Sequence, residues 1–279
     1  MTAVIDSHVH YWRVSRGDYA WMTPDLPIHR DFLPPDGAPL FDAAGVDGIV
    51  LVQAADTEAE TQFMLSLARE DPRVRGVVGW TDMEAPDAPD RLATLAADPL
   101  LRGIRSMWQD IPEDGWFLHP QQDPAYRAVI ELGLTFDALA RVRHLPLLPH
   151  LIERHPELPL VIDHAAKPEI AAGNFSEWRR RMAVLASFPH MRCKFSGLVT
   201  ETAPGAPAAS ITPYAEALLE LFGPQRLMFG SDWPVVTLRC GYADWWNQAH
   251  QLAAHLAEAD RDALFGGTAE RFYGLANRP

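Results

Sequence analysis

The sequence predicts an α/β protein, a single (β/α)₈ TIM barrel with its active site at the C-terminal mouth of the strands. Short apolar runs rich in β-branched residues recur about every 32 residues, the spacing of eight βα units in a barrel of roughly 250 residues. A helical pattern separates these runs, and the runs lack the apolar–polar alternation of a sheet with one exposed face. The chain also lacks the GxGxxG fingerprint of open dinucleotide-binding sheets. We expect one domain over residues 1–279.

The elements follow in order along the chain. Strands are expected at residues 3–9, 48–53, 75–81, 102–106, 133–138, 159–164, 191–196 and 226–231. Helices are expected at 57–70, 89–97, 124–131, 144–155, 175–187, 212–222 and 242–257. The run Thr57-Glu58-Ala59-Glu60 has the pattern of a capping box at the start of the helix at 57–70. The long connections at 11–39, 107–123 and 202–211 follow strands, so they would lie over the barrel mouth.

Composition and charge limit the class of protein. The formal net charge of −13 argues against a nucleic acid or an anionic membrane surface as partner. No uncharged apolar stretch approaches the roughly 18 residues of a membrane span, and Asp6, His8 and His10 interrupt the segment where a signal peptide would be apolar. The two cysteines, Cys193 and Cys240, have no CxxC spacing. We expect a cytoplasmic protein with a small-molecule partner, as a monomer or a homo-oligomer.

Two histidines end the first strand. Because side chains two residues apart in a strand point to one face, Asp6, His8 and His10 would share a side. At the carboxyl end of a barrel strand, that side is the inner mouth. Two imidazoles there could bind a divalent metal or polarise a carbonyl group. Chance spacing is the alternative, and the position at a strand end favours function.

A carboxylate and a third histidine end two later strands. Asp232, in the run FGSDWP, would face the first strand across a closed barrel and could act as a general base toward water. His164 closes the sixth strand. A helix cap is the alternative for Asp232, and a buried structural histidine is the alternative for His164. We expect Asp232, His164, His8 and His10 to form the catalytic set.

Candidates for substrate contact also lie at or just after strand ends. The only two lysines, Lys167 and Lys194, both fall there, and a lysine charge suits an oxyanion or a substrate carboxylate. Arg105 could clamp a carboxylate or a ring oxygen, with a surface ion pair as its alternative. Gln53 and Trp108 are weaker candidates. Aromatic residues of the first long connection that could wall a pocket, or anchor the loop, are Trp12, Tyr19 and Trp21.

The motifs IDSHVH, VIDH, CKFSGL and LMFGSDWP resemble the amidohydrolase superfamily, in its amidohydrolase-related (amidohydrolase 2) branch. The likeness continues through GVDGIVLVQA, GVVGW, LRGIR and GTAERFYGL and so covers almost the whole chain. Within the branch, the chain is similar to the sugar lactonases of L-fuconic and L-rhamnonic acids, a group related to 2-pyrone-4,6-dicarboxylate lactonases. The resemblance implies a distorted barrel that hydrolyses a sugar-acid lactone, with Asp232 activating water. His8, His10 and His164 would stabilise the oxyanion, directly or through one Zn²⁺.

One departure from the family pattern leaves the cofactor open. Metal-dependent relatives present a histidine or a modified lysine at the end of strand five, where this chain has TFDA at residues 135–138. Pyrone lactonases of the branch work without metal. One zinc or other divalent ion held by His8, His10, His164 and Asp232 is therefore one expectation, and metal-independent catalysis is the other. Zinc-dependent decarboxylation, as in other members of the branch, and a barrel that only binds a sugar acid are the rival functions.

Overall fold

Eight parallel strands form the centre of the computed structural model, which describes residues 2–275. They pair in chain order and are β1 (Ile5–Val9), β2 (Gly48–Val52), β3 (Val74–Gly79), β4 (Leu101–Ser106), β5 (Thr135–Ala138), β6 (Leu160–Ile162), β7 (Arg192–Phe195) and β8 (Leu227–Phe229). The chain after β8 returns to β1, because Asp232 N–H donates to the His8 carbonyl at 2.9 Å and His10 N–H donates to the Trp233 carbonyl at 2.8 Å. The predicted barrel is confirmed, and each predicted strand end lies within two residues of the observed one.

The strands carry apolar residues on both faces because both faces are covered. One face packs against the surrounding helices, and the other fills the barrel. The inner cluster consists of Ile5, Val50, Val52, Val78, Val161 and Met228, joined by Ala269, Tyr273 and Leu275 from the end of the chain. A Cβ on Gly266 would lie 1.8 Å from the Ala3 carbonyl oxygen, so glycine lets this last segment approach the start of β1.

Helices alternate with the strands around the barrel. Within residues 2–275 they are α1 (Pro34–Ala44), α2 (Glu58–Glu70), α3 (Ala88–Ala96), α4 (Asp123–Glu131), α5 (Leu148–Arg154), α6 (Phe175–Ala186), α7 (Thr212–Phe222), α8 (Tyr242–Leu252), α9 (Glu258–Asp262) and α10 (Thr268–Tyr273). None of these helices is long and apolar enough to span a bilayer. The domain predicted over 1–279 includes residues 1 and 276–279, which lie outside the described residues.

Proline explains two differences between the predicted and the observed helices. Helix α1 begins inside the segment 11–39, which was expected to be a connection. It was not predicted because Pro34 and Pro35 resemble loop signals. In the structure they occupy the first two helical positions, where the missing N–H costs no hydrogen bond. The helix expected at 144–155 begins only at Leu148, which places Pro149 in its first turn for the same reason. Helices α9 and α10 were not predicted.

Glu60 in the first turn of α2 supports a loop at the barrel mouth. The Thr57 hydroxyl accepts the Glu60 N–H at 3.1 Å, as the expected cap requires. The Glu60 carboxylate does not complete the capping box; it accepts the N–H groups of Ala54 at 2.9 Å and Ala55 at 2.5 Å. Glu60 is fully buried, and burial raises its pKa to about 7.

This carboxyl group should make stability depend on pH. Its pKa is higher in the folded chain than in the unfolded chain, so the free energy of unfolding falls as the pH rises from about 4.5 to 7. Glu60→Gln keeps an acceptor for both N–H groups and carries no charge. We expect the free energy of unfolding of the variant to exceed that of the wild type by roughly 3 kcal/mol at pH 8, with little difference at pH 4. Urea unfolding at both pH values measures this, and a difference independent of pH would contradict it.

Candidate active site

Three imidazole groups surround one carboxylate at the carboxyl ends of the strands. Asp232 Oδ1 lies 3.2 Å from His10 Nε2 and 3.8 Å from the Nε2 atoms of His8 and His164. The backbone hydrogen bonds between β1 and the segment after β8 bring the first two histidines to Asp232. His164 comes from the end of β6. All four residues are at most 4% exposed. The structure therefore brings the four expected residues together.

Asp6 does not share the side of His8 and His10, contrary to expectation. Its carboxylate accepts the Ser231 N–H at 2.8 Å and the Tyr242 hydroxyl at 3.2 Å. The pairing of β1 with β2 shifts register after Asp6, and this irregularity breaks the simple alternation of side chains.

The backbone is left-handed at two places in the site. Asp232 has a φ of 58°, and the four residues from His164 to Lys167 have φ values of 49–58°. Non-glycine residues in this region cost of order 1–3 kcal/mol each, and such strain clusters at functional sites. Gly197 makes room for the turn, since a Cβ there would lie 2.5 Å from the Cβ of His164. The turn directs both His164 and Lys167 to one cavity.

The cavity at this site has a volume of about 210 Å³. It is lined by His10, Trp21, Ala54, Arg105, Met107, Gln109, Leu139, His164, Lys167, Asp232 and Val235. Of the three aromatic residues expected as possible walls, Trp21 lines it, whereas Trp12 and Tyr19 are buried in the core. Sequence reasoning did not single out Met107, Gln109, Leu139 or Val235, whose only signal is that they follow strand ends.

Lys167 is a cation without a carboxylate partner in this cavity. Within residues 2–275, no acidic oxygen lies within 4.0 Å of its Nζ, in contrast to the many paired arginines. Burial lowers the pKa of its ammonium group. Arg105 also lines the cavity, and its buried Nε has no partner within the same part of the chain. Lys167 is therefore free to bind an oxygen-rich ligand, whereas the Arg105 guanidinium already pairs with Asp163.

Four of the expected residues do not line the cavity. Trp108 is 1% exposed and stacks on Phe117 with ring centroids 4.3 Å apart, so it belongs to the core. The Gln53 amide donates to the Arg105 carbonyl at 3.0 Å. His8 and Lys194 are completely buried beside the cavity, so neither is placed to touch an oxyanion directly.

Lys194 lies instead in a buried charge network. Its Nζ is 2.5 Å from Asp137 Oδ2, 3.0 Å from Asp163 Oδ1 and 2.9 Å from His8 Nδ1. Arg105 donates to Asp163 at 3.1 Å, and the Tyr273 hydroxyl donates to Asp137 at 2.8 Å. Asp137 lies near the end of β5, a strand that contains no histidine. The network therefore contacts the site through His8 and Arg105 from inside the barrel.

Burial and the neighbouring charges set the protonation of this network. Burial raises the pKa of Asp137 to about 6, although Lys194 opposes the shift. Burial acts to raise the pKa of Asp163, but Lys194, His8 and Arg105 hold this pKa well below its usual value. Asp163 is therefore an ionised counterion in the barrel.

The residues around the cavity favour an ionised Asp232 and neutral imidazoles of His8 and His164. Burial acts to raise the pKa of Asp232, but the three histidines hold it well below its usual value. Burial lowers the pKa of His164 to about 4 and that of His8 well below its usual value. A carboxylate that stays ionised beside neutral imidazoles can accept a proton from water.

The donor atoms of the site fit a single divalent cation. His10 Nδ1 donates to the Val52 carbonyl at 2.7 Å, so Nε2 directs its lone pair at Asp232 Oδ1. His10 Nε2 and Asp232 Oδ1 both present lone pairs and lie 3.2 Å apart, so a proton or a metal ion must lie between them. His164 Nδ1 is paired with the Ser196 hydroxyl at 2.8 Å, which leaves its Nε2 for the same centre. By distance alone, the candidate metal groups within residues 2–275 are His8, His10 and Asp232, and His8, Asp163 and His164.

Comparisons with known proteins find full-length relatives of this chain. A family model described as amidohydrolase matches residues 5–275. The chain is 42% identical to an L-fucono-1,5-lactonase of Burkholderia ambifaria, over 100% of this chain and 98% of that protein. It is 38% identical to an L-fucono-1,5-lactonase of Burkholderia multivorans, over 97% of this chain and 96% of that protein. A crystal structure of an amidohydrolase from Burkholderia multivorans with bound zinc has a TM-score of 0.93 at 36% identity. The match covers 98% of this chain and 99% of that one.

Proposed function

The chain belongs to the amidohydrolase family, and we propose that it hydrolyses a sugar-acid lactone, L-fucono-1,5-lactone foremost, to the free acid. The observation that carries the chemistry is the Asp232 carboxylate with three imidazole nitrogens 3.2–3.8 Å from Oδ1. The two full-length lactonase relatives support the choice of substrate class. The polar cavity of about 210 Å³ suits a small hydroxylated ring.

Asp232 is the general base in this proposal. It takes a proton from a water molecule whose oxygen attacks the lactone carbonyl carbon. The negative charge that develops on the carbonyl oxygen is stabilised by His164, whose Nε2 carries a proton when Nδ1 accepts the Ser196 hydroxyl. The bond from the carbonyl carbon to the ring oxygen then breaks, and Asp232 returns its proton to that oxygen. The product carries a hydroxyl group and a carboxyl group.

His10, His164 and Asp232 are the residues that would hold a divalent metal ion, and zinc suits their nitrogen and oxygen donors. Such an ion would supply Lewis-acid polarisation of the lactone carbonyl. The Val52 carbonyl and the Ser196 hydroxyl orient the two imidazoles in either case.

Lys167 should contribute to substrate binding. We expect Lys167→Met to raise KM by about 10- to 100-fold with a smaller change in kcat, because a charge-assisted hydrogen bond contributes about 1.5–3 kcal/mol. Steady-state kinetics with the best lactone measure both constants. Arg180→Met, which removes an exposed cation paired with Glu177 on α6, is the matched control and should leave KM unchanged. An unchanged KM for Lys167→Met would remove this residue from the binding site.

A pH-indicator screen over aldonolactones and aromatic-pathway lactones tests the proposed function. We expect acid release from sugar-acid lactones of one stereochemical series, measured with and without a chelator. Turnover that survives the chelator would identify a metal-independent lactonase, and turnover that zinc restores would identify a metal-dependent one. Release of CO₂ from aromatic acids without lactone hydrolysis would replace the proposal with decarboxylation. Binding of lactones without any turnover would replace it with a binding barrel.

A further inference from the structure

We propose that Lys194 fixes His8 as the tautomer with its proton on Nε2, so that His8 directs an N–H at Asp232 and is not a ligand of a metal ion. Lys194 is then a positioning residue, which acts on the base through His8. The use of this N–H in lactone hydrolysis rests on the proposed function. The tautomer itself does not, because it can be measured without a lactone.

The first observation is that Lys194 Nζ forms hydrogen bonds with His8 Nδ1 and Asp137 Oδ2 and also contacts Asp163 Oδ1. An ammonium group has three N–H donors and no acceptor. Three acceptors surround Nζ, namely Asp137 Oδ2 at 2.5 Å, His8 Nδ1 at 2.9 Å and Asp163 Oδ1 at 3.0 Å. A proton on His8 Nδ1 would place two donors against each other at 2.9 Å in a completely buried site. His8 Nδ1 is therefore an acceptor, and its proton lies on Nε2.

Arg105 offers the opposite pairing, and its geometry is weaker. Its Nη1 lies 3.3 Å from His8 Nε2, longer than the 2.9 Å contact of Lys194 with Nδ1. The same Nη1 donates to Asp163 Oδ2 at 3.1 Å, and Nη2 donates to the Gln53 carbonyl, so Arg105 has acceptors elsewhere. A proton on His8 Nδ1 would break the shorter contact, the 2.9 Å hydrogen bond from Lys194 Nζ. The contact with Lys194 therefore decides the tautomer.

The three histidines therefore have different roles, because their Nδ1 atoms have different hydrogen-bond partners. His10 and His164 have hydrogen-bond partners at Nδ1 that leave Nε2 free for a metal ion. His8 has its Nδ1 lone pair occupied, so its Nε2 bears a proton and lies 3.8 Å from Asp232 Oδ1, close to the carboxylate but beyond hydrogen-bond distance. A metal ion needs a lone pair, which a protonated nitrogen does not offer. His8 instead favours the ionised carboxylate of the base.

Nuclear magnetic resonance of the full chain labelled with ¹⁵N-histidine tests the tautomer directly. The His8 resonances are those absent from His8→Gln. In the wild type we expect proton-bearing Nε2 and unprotonated Nδ1. In Lys194→Met we expect the proton to move at least partly to Nδ1, which faces Asp163 Oδ1 at 3.6 Å. Lys167→Met, the change at the only other lysine, should leave His8 unaltered. A wild-type proton on Nδ1, or a tautomer that Lys194→Met does not change, would overturn the proposal.

Zinc affinity and kinetics give a second readout. Gln retains an N–H at the place of Nε2, and Leu of similar volume does not. We expect His8→Gln to bind zinc within about threefold of the wild type in a chelator competition, and His10→Gln to bind it at least about 100-fold more weakly. We expect kcat of His8→Gln to exceed that of His8→Leu by about tenfold. Equal loss of zinc in His8→Gln and His10→Gln would make His8 a ligand. Failure of the lactone screen would leave both the tautomer and the zinc results standing.

Discussion

Asp232→Asn should lower kcat by about 10²- to 10⁴-fold, because removal of a positioned general base usually costs this much. The amide cannot accept a proton from water, yet it has nearly the shape of the carboxylate. Since the backbone N–H of Asp232 still donates to the His8 carbonyl, the barrel should close as before. Initial rates of acid release measure the loss, and circular dichroism and thermal unfolding establish that the variant is folded.

Asp6→Asn is the matched control for this variant. Asp6 is also buried in β1, near the start of the strand, and its carboxylate faces Ser231 and Tyr242 instead of the three imidazoles. An asparagine oxygen can still accept the Ser231 N–H. We expect its kcat to change by less than about tenfold. A folded Asp232→Asn protein with nearly normal turnover would refute the assignment of Asp232 as the base.

Lys194→Met should lower the free energy of unfolding by about 3–5 kcal/mol, the usual result of removing one partner from a buried ion pair. Methionine fills a similar volume, but it leaves Asp137 and Asp163 in the barrel without the cation that contacts both. Arg105 continues to pair with Asp163, so the loss falls mainly on Asp137. Urea unfolding at pH 7 measures the change.

Two further variants separate loss of charge from loss of packing. Lys167→Met removes a cation that has no carboxylate within 4.0 Å among residues 2–275, and we expect a change below about 1 kcal/mol. In Lys194→Met combined with Asp137→Asn, the uncompensated charge is removed, so part of the stability should return. If the double variant is no more stable than Lys194→Met alone, the buried charge on Asp137 does not explain the loss.

The barrel was predictable because its signals are local. A strand buried on both faces needs a continuous apolar run, and a run such as GIVLV in β2 is visible without any neighbour. The ends of such strands meet at one mouth, so His8, His10, His164 and Asp232 could be assigned to one place before their distances were known. Helix α1 was missed because its prolines are compatible with both a loop and the first turn of a helix.

The depth and the partners of individual side chains were not predictable. Lys194 was correctly placed near a strand end, but only the three-dimensional structure shows that its ammonium group lies among Asp137, Asp163 and His8. Tyr273 reaches Asp137 from 136 residues away along the chain, and no local pattern announces such a contact. The left-handed turn after β6 contains neither glycine nor asparagine, the residues that usually signal it.

A crystal structure of Asp232→Asn with an unreacted sugar-acid lactone would test the central claim most directly. We expect the lactone in the cavity with its carbonyl carbon beside residue 232, close enough for one water molecule to lie between them. Its carbonyl oxygen should face His10 and His164, which line the same cavity. A lactone bound with its hydroxyl groups at residue 232 and its carbonyl directed to solvent would contradict the account.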